Sequence, residues 1–296
     1  MESVGFIGLG KMGSRMAKRI LDKGYALYIN DVIRDNAEAL VKQGAIYVPN
    51  AEELARKTNV IFTSVPSGSN LKEIIVGKNG LLNSASQDTV LIDMSTIAPK
   101  DSAEIAAILD TKKIGYLRAC VTGSTAFAEQ GTLGIMVSGS KEIFEKELHL
   151  LKIIGNRQRY LGKEEQSRYM KISINMMIGT AMQMLAESLV LGEKAGIDWE
   201  MMVECIADSA AATAMIKAKE MPLKKRDWTA MSTVEMMEKD MNIALEIAAE
   251  EGLALPVTAI TRQFYSAMRS SGYGKVDYSG ILLVNEKLNN MRKTEK

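Results

Sequence analysis

Lys171 and Asn175 stand four residues apart in a long apolar stretch, 166–194, that reads QSRYMKISINMMIGTAMQMLAESLVLGEK. In a helix that spacing puts an ammonium and a carboxamide on one face. Around them Met170, Ile172, Ile174, Met176, Met177, Ile178, Met182, Met184 and Leu185 point in every direction, the pattern of a helix that is buried all round. A buried lysine is costly unless it is paired or has lost its proton. Two readings follow. Lys171 snorkels from the helix end to water, or it is an acid/base group whose apolar surroundings lower its pKa towards working pH.

A second constellation lies at the other end of the chain. Gly8-Leu9-Gly10-Lys11-Met12-Gly13 is a G-x-G-x-x-G loop. It follows a short apolar run and precedes a helical pattern, the context that gives such a loop its meaning. The first glycine permits a tight turn, the second lets the backbone approach a pyrophosphate, and the third allows close helix–strand packing. The helix N-terminus offers N–H groups and a positive dipole end to the phosphates. Asp31 ends the second strand, 31 − 13 = 18 residues past the last glycine, against an expected spacing of about 20. Its carboxylate would accept hydrogen bonds from the adenosine ribose and repel a 2′-phosphate, so NAD is expected and NADP is less favoured. Arg34 is close enough to argue the other way.

Composition bounds the rest. The 296 residues carry a formal net charge of +1, too balanced for a nucleic-acid footprint. No run of about 18 uninterrupted apolar residues marks a membrane span. The opening MESVGFIGLGKMG lacks the features of a secretory signal, and two cysteines, Cys120 and Cys205, are no disulfide framework; a cytoplasmic setting is expected. The single histidine, His149, lies in a charged helical stretch and rules out multi-histidine metal sites. No metal is expected, and a Ser-His-Asp triad is disfavoured.

The elements that must carry these residues alternate over the first half of the chain. Short apolar runs predict strands over 3–8, 26–30, 59–64, 89–93, 115–119, 133–138 and 157–161, with a short extended piece at 45–48. Between them lie helical patterns over 14–23, 35–43, 70–76, 100–110 and 141–154, and Asn50 caps a short helix over AEELARK. Alternation of this kind means a mainly parallel, doubly wound Rossmann-type sheet covered on both faces. After Gly162 the strand signals stop. The stretch 163–296 reads as an all-α second domain: the long central helix, then 200–207, 232–251, 257–268 and a last helix from Tyr278, with the charged tail NNMRKTEK frayed. The expected domains are 1–162 for the dinucleotide and 163–296 for substrate and oligomerisation. Lys171 falls just past that change of pattern.

In order along nearly the whole chain, these motifs resemble the β-hydroxyacid dehydrogenase family, the 3-hydroxyisobutyrate dehydrogenase-like enzymes. GFIGLGKMGSRMA resembles the family's glycine loop, Val65-Pro66 its strand-end proline, and Asp93-Met94-Ser95-Thr96 its D-x-S-T loop. Lys171 to Asn175 resembles its K-x-x-x-N, and Lys239-Asp240 its late K-D pair. The resemblance implies that Val65, Pro66, Asn70, Thr96 and Lys239 approach the cofactor. It implies that Lys171 is the catalytic acid/base, that Asn175 supports the substrate, and that Ser95 with Thr122, Gly123 and Ser124 binds it. It further implies hydride transfer between NAD(H) and a small 3-hydroxy carboxylate or its semialdehyde, in a homodimer or homotetramer. The substrate loop departs from the family's D-A-P-V-S-G-G: here it is Arg118-Ala119-Cys120-Val121-Thr122-Gly123-Ser124. Arg118 would meet a second anionic group on a substrate or form a salt bridge beside the site. Alternatives are another small anionic aldehyde, such as a four-carbon semialdehyde or sulfolactaldehyde, and a non-catalytic NAD-binding protein.

Overall fold

A computed structural model describes residues 2–291 of the chain; the end of the charged tail, 292–296, lies outside the described residues. The chain divides into two compact units, Met1–Lys171 and Ile172–Lys296. The last strand of the first unit ends at Gly162, and the division falls inside the long helix that follows.

The first unit is built on eight strands: β1 (Ser3–Ile7), β2 (Ala26–Asn30), β3 (Ile46–Tyr47), β4 (Val60–Thr63), β5 (Val90–Asp93), β6 (Gly115–Thr122), β7 (Leu133–Gly139) and β8 (Gly155–Gly162). They lie in the order β3-β2-β1-β4-β5-β6-β7-β8. Every pair is parallel except β6 with β7. The order reverses direction between β1 and β4, the switch point where doubly wound sheets open a crevice beyond their strand ends.

Successive side chains on a strand face opposite sides, and the apolar core divides accordingly. Phe6, Phe62, Ile92 and Leu117 pack on one face with Met16, Ala17 and Ile20 of α1 (Gly13–Asp22) and Leu150, Leu151 and Ile154 of α7 (Lys141–Ile154). Phe6 and Phe62 stack with their ring centroids 5.9 Å apart. Ile7, Ile61 and Leu91 pack on the other face with α3 (Ala51–Ala55), α4 (Gly68–Val76) and α5 (Pro99–Asp110) through Leu54, Leu71 and Ile105. Each such fully buried side chain contributes roughly 1.5–3 kcal/mol relative to exposure. Asn50 caps α3 as expected, accepting from the Glu53 N–H at 2.8 Å.

Tertiary pairing extends what local pattern suggests. β6 runs on to Thr122 because its last residues pair antiparallel with β7, up to Thr122 opposite Gly134. The 35–43 stretch forms a tight turn over 34–37 and then a single helical turn, α2 (Glu38–Val41). A short helix, α6 (Thr125–Gln130), follows the Thr122–Ser124 loop.

The long helix α8 (Gln166–Lys194) leads into the second unit, which also contains α9 (Trp199–Ala207), α10 (Ala214–Lys224), α11 (Val234–Glu251), α12 (Pro256–Met268) and α13 (Leu282–Leu288). Its core joins Met182, Leu185 and Leu189 of α8 to Met237 and Met241 of α11 and Tyr265 of α12. α10 has no counterpart in the sequence reading. Pro222 lies inside it, a residue that normally argues against a helix interior, but here it falls in the final turn. The last segment opens as a tight turn over 278–281 before becoming helical.

By length and composition α8 is one described helix able to cross a bilayer, with a mean hydropathy of 1.3 over 18 residues. Ser173, Asn175 and Gln183 interrupt the run, which is why no unbroken apolar stretch appears. From Met182 onward its buried side lies in the core of the second unit.

Candidate active site

Five parallel strands, β2, β1, β4, β5 and β6, deliver their last residues to one end of the sheet, and the candidate loops of the first unit follow them there. Gly8 turns the chain out of β1 with φ +92°, and its N–H donates to the Asn30 carbonyl at 3.0 Å. A Cβ on Gly8 would lie 2.3 Å from the Ser64 carbonyl oxygen, and one on Gly13 would lie 1.9 Å from the Gly8 carbonyl oxygen. Both glycines are therefore required by the fold itself. Gly10 is different: it is exposed, its φ is not positive, and an added Cβ would meet nothing within 4 Å. Nothing in the chain's own packing asks for glycine there, whereas a pyrophosphate lying against the loop would. The residues present fit a dinucleotide. Leu9 is buried, Met12 is half-buried and Lys11 is exposed.

Asp31 is 8% exposed at the end of β2. Its Oδ2 accepts from the Leu9 N–H at 2.5 Å, and its Oδ1 accepts from Ile33 N–H at 2.8 Å and Asn36 Nδ2 at 3.2 Å. The carboxylate thus braces the glycine loop, and with about four lone-pair sites it retains capacity for a ribose hydroxyl. Arg34 lies over the Tyr47 ring, 4.3 Å from its centroid.

The D-x-S-T loop is held from below. Buried Asp93 accepts at Oδ1 from the hydroxyls of Thr63 and Ser95, each at 2.6 Å. The Ser95 hydroxyl in turn accepts from the Val65 N–H at 2.9 Å. Ser95 is buried, with its one donor given to Asp93 and one of its two acceptor sites taken by Val65. Thr96 is half-buried, while Pro66 and Asn70 are exposed. Asn70 lies in the first turn of α4, where its side-chain oxygen accepts from the Ser67 hydroxyl at 2.6 Å. Neither Ser95 nor Thr96 caps α5, whose N-cap is Ala98.

Thr122 ends β6, Gly123 takes φ +130°, and Ser124 opens α6 without a side-chain cap. Gly123 is exposed, with Thr122 and Ser124 half-buried. Arg118, four residues earlier, is a buried salt bridge and not an open cation. Its guanidinium pairs with Glu165, Nε donating to Oε1 at 2.9 Å, and lies 4.5 Å from the Tyr116 ring centroid. Burial pushes the Tyr116 hydroxyl pKa up to about 12, which leaves it a neutral donor and acceptor at neutral pH.

Lys171 is half-buried, and Asn175 follows one turn later on the same helix. Within the second unit buried Asn175 donates from Nδ2 to Asp240 Oδ2 at 2.6 Å. A carboxylate only accepts, so this contact fixes which end of the amide faces it. Lys239 is 3.3 Å from Asp240 Oδ1. The K-x-x-x-N and K-D motifs thus meet through Asp240, a residue for which the sequence reading held no role. Its signal was its place beside Lys239. Arg168 was also missed: it is 1% exposed and bonded to Asp93, 75 positions away, a separation at which local pattern carries no information.

The matches to known proteins cover both units. Residues 3–162 match the NAD binding domain of 6-phosphogluconate dehydrogenase, and residues 166–284 match the NAD-binding region of NADP-dependent 3-hydroxyisobutyrate dehydrogenase. The chain is 35% identical to 2-(hydroxymethyl)glutarate dehydrogenase of Eubacterium barkeri over 96% of its own length and 95% of that protein's. It is 28% identical to glyoxylate/succinic semialdehyde reductase 1 of Arabidopsis thaliana, over 94% and 96% of the two chains. The fold superimposes on that of a 3-hydroxyisobutyrate dehydrogenase from Salmonella typhimurium with a TM-score of 0.89, at 24% identity and with 96% and 100% of the two chains covered. A dinucleotide-binding sheet followed by a helical unit, with matches of this extent in both, makes the chain a member of the β-hydroxyacid dehydrogenase family, an NAD(P)-binding oxidoreductase group.

Proposed function

We propose that this protein transfers a hydride between NAD(H) and a small 3-hydroxy carboxylate or its semialdehyde, with Lys171 as general acid/base. The observation that carries the reading is the buried Asn175–Asp240 hydrogen bond. It holds a carboxamide one helical turn from Lys171, in a chain whose first unit has the glycine loop and strand-end aspartate of a dinucleotide site. A bound nicotinamide supplies or accepts the hydride. Lys171 Nζ takes the hydroxyl proton in oxidation and returns it to the carbonyl oxygen in reduction. Asn175 orients the reacting hydroxyl, its amide held by Asp240. Backbone N–H groups of Thr122, Gly123 and Ser124, with Ser95, bind the substrate carboxylate. Gly8 to Gly13 would receive the pyrophosphate, and Thr96 would contact the nicotinamide part.

NAD is the preferred cofactor in this reading. Asp31 puts a carboxylate where a 2′-phosphate would sit, and Arg34 is drawn onto Tyr47. Arg118 belongs to the scaffold through Glu165, which favours a substrate with one carboxylate contact at the Thr122–Ser124 loop. A homodimer or homotetramer is part of the same reading. Met170, Met177, Met184 and Leu191 recur every seven residues along α8 and are 42–74% exposed; light scattering would test it. The cytoplasm is the proposed setting.

The direct test follows the near-ultraviolet absorbance of NADH against 3-hydroxyisobutyrate, 2-(hydroxymethyl)glutarate, succinic semialdehyde and glyoxylate. Lys171→Ala is expected to abolish turnover and leave NADH affinity intact. A variant with near-normal kcat would remove Lys171 from the mechanism. NADH binding without turnover on any compound would favour a binding protein.

A further inference from the structure

We propose that Arg168 is the positioning residue of this site: its buried guanidinium sets the first turn of α8, and so Lys171, against the loop at the end of β5. The inference rests on the reading of Lys171 above. An arginine side chain has five N–H donors in a planar fork, and all five are used. Nε donates to Ser102 Oγ at 3.3 Å. Nη1 donates to the Ser95 carbonyl at 2.5 Å and to Cys120 Sγ at 3.4 Å. Nη2 donates to Tyr116 Oη at 3.0 Å and to Asp93 Oδ2. One group therefore ties α8 to β5, to the D-x-S-T loop, to α5 and to β6.

Stability alone does not call for this arrangement. Arg168 and Asp93 are 1% and 0% exposed, and two charges taken that far from water are often matched or bettered by apolar residues of similar volume. What the pair adds is direction. The fork admits a single orientation relative to its five acceptors, which a lysine at the same position cannot reproduce. Residues three apart on a helix are neighbours on one face, so the placement of Arg168 sets the direction in which Lys171 leaves the helix. The same guanidinium holds the Ser95 carbonyl, next in the chain to Thr96. Ser167 supports the same turn, donating to the Arg118 carbonyl at 3.0 Å.

The test compares Arg168→Lys, Tyr116→Phe and Ser102→Ala with wild type. Turnover is measured with 3-hydroxyisobutyrate and NAD or succinic semialdehyde and NADH, whichever pair the wild type turns over faster. Arg168→Lys keeps the charge and loses the fork; kcat is expected to fall about 10- to 100-fold, the scale of a misplacement near 1 Å, with KM and NADH affinity within about twofold. Tyr116→Phe and Ser102→Ala each remove one acceptor and are expected to lower kcat about threefold. A structural role alone would lower the melting temperature and leave kcat per folded molecule unchanged, and that result in Arg168→Lys overturns the inference. Should Arg168→Lys fail to fold, unchanged kcat in both milder variants overturns it. Lys171→Ala run alongside separates the two failures. If it stays active, the reading of Lys171 falls; if it is dead while Arg168→Lys is normal, only the positioning inference falls.

Discussion

Asp240 fixes which end of the Asn175 amide faces it. Two amide ends of nearly equal shape compete for any site, and a carboxylate 2.6 Å away accepts only from the nitrogen. Asp240→Ala is expected to leave α11 folded and to reduce kcat about 10- to 100-fold, since the carboxamide then lacks its fixed orientation; steady-state kinetics beside NADH titration checks this. In the proposed reading Asp31 sets cofactor preference by charge. Asp31→Ser is expected to lower kcat/KM for NAD by about tenfold and raise it for NADP, one such factor corresponding to about 1.4 kcal/mol. A parallel comparison of the two cofactors measures it, and an unchanged NAD preference would mean that Arg34 and Asp31 do not control the choice. Lys171, Asn175 and Asp31 stand out as candidates from residue type and spacing alone. Arg168 and Asp240 were not, because their meaning lies in partners 75 and 65 positions away.

At the glycine loop the three glycines separate by cause. Gly8 turns the chain at φ +92° beneath the Ser64 carbonyl, Gly13 lets α1 start against Gly8, and Gly10 borders open space. Gly13→Ala is expected to cost about 1–3 kcal/mol, because a methyl group is forced against backbone. Gly10→Ala is expected to change stability by less than about 0.5 kcal/mol, as at a surface position. It should still weaken NADH binding about tenfold, through the close approach that the second glycine permits. Thermal melts with and without NADH separate the two outcomes; equal stability losses would mean that Gly10 also serves the fold. Most strands and helices of the first unit could be placed from apolar runs and caps, Asn50 among them. α10 could not, since Pro222 obscured a helix that its tertiary contacts support. The full length of β6 could not either, since its last residues are paired by β7.

Protonation acts on the two units with opposite signs. Burial raises the pKa of Glu147 in α7 despite the Lys146 ammonium 3.6 Å from its Oε1, which accepts no hydrogen bond among the described residues. The folded unit then binds the proton more tightly than the unfolded chain, so stability falls as pH rises from about 4.5 through the raised value. Glu147→Gln is expected to stabilise the first unit at neutral pH by about 1 kcal/mol, a gain that vanishes on acidification. In α11 burial acts to raise the pKa of Glu238, but hydrogen bonds from Arg269 and Ser266 outweigh it and the net shift is downward. Its contribution is present above about 4.5 and is lost as pH falls through the lowered value. Hydrogen exchange across an acid series would resolve the two units, and a common pH dependence would contradict these assignments. The chain's own order of residues was enough for the Rossmann-type sheet, the helical second half, the glycine loop with Asp31, and the placing of Lys171 and Asn175 one turn apart on a single helix, because periodicity and spacing are local properties. Tertiary structure alone decided that Arg118 is neutralised by Glu165, that Asp93 and Arg168 form a buried hub, and that Asp240 orients Asn175. Each is a charge whose energy depends on what lies a few ångströms away in space, and that neighbour is distant along the chain.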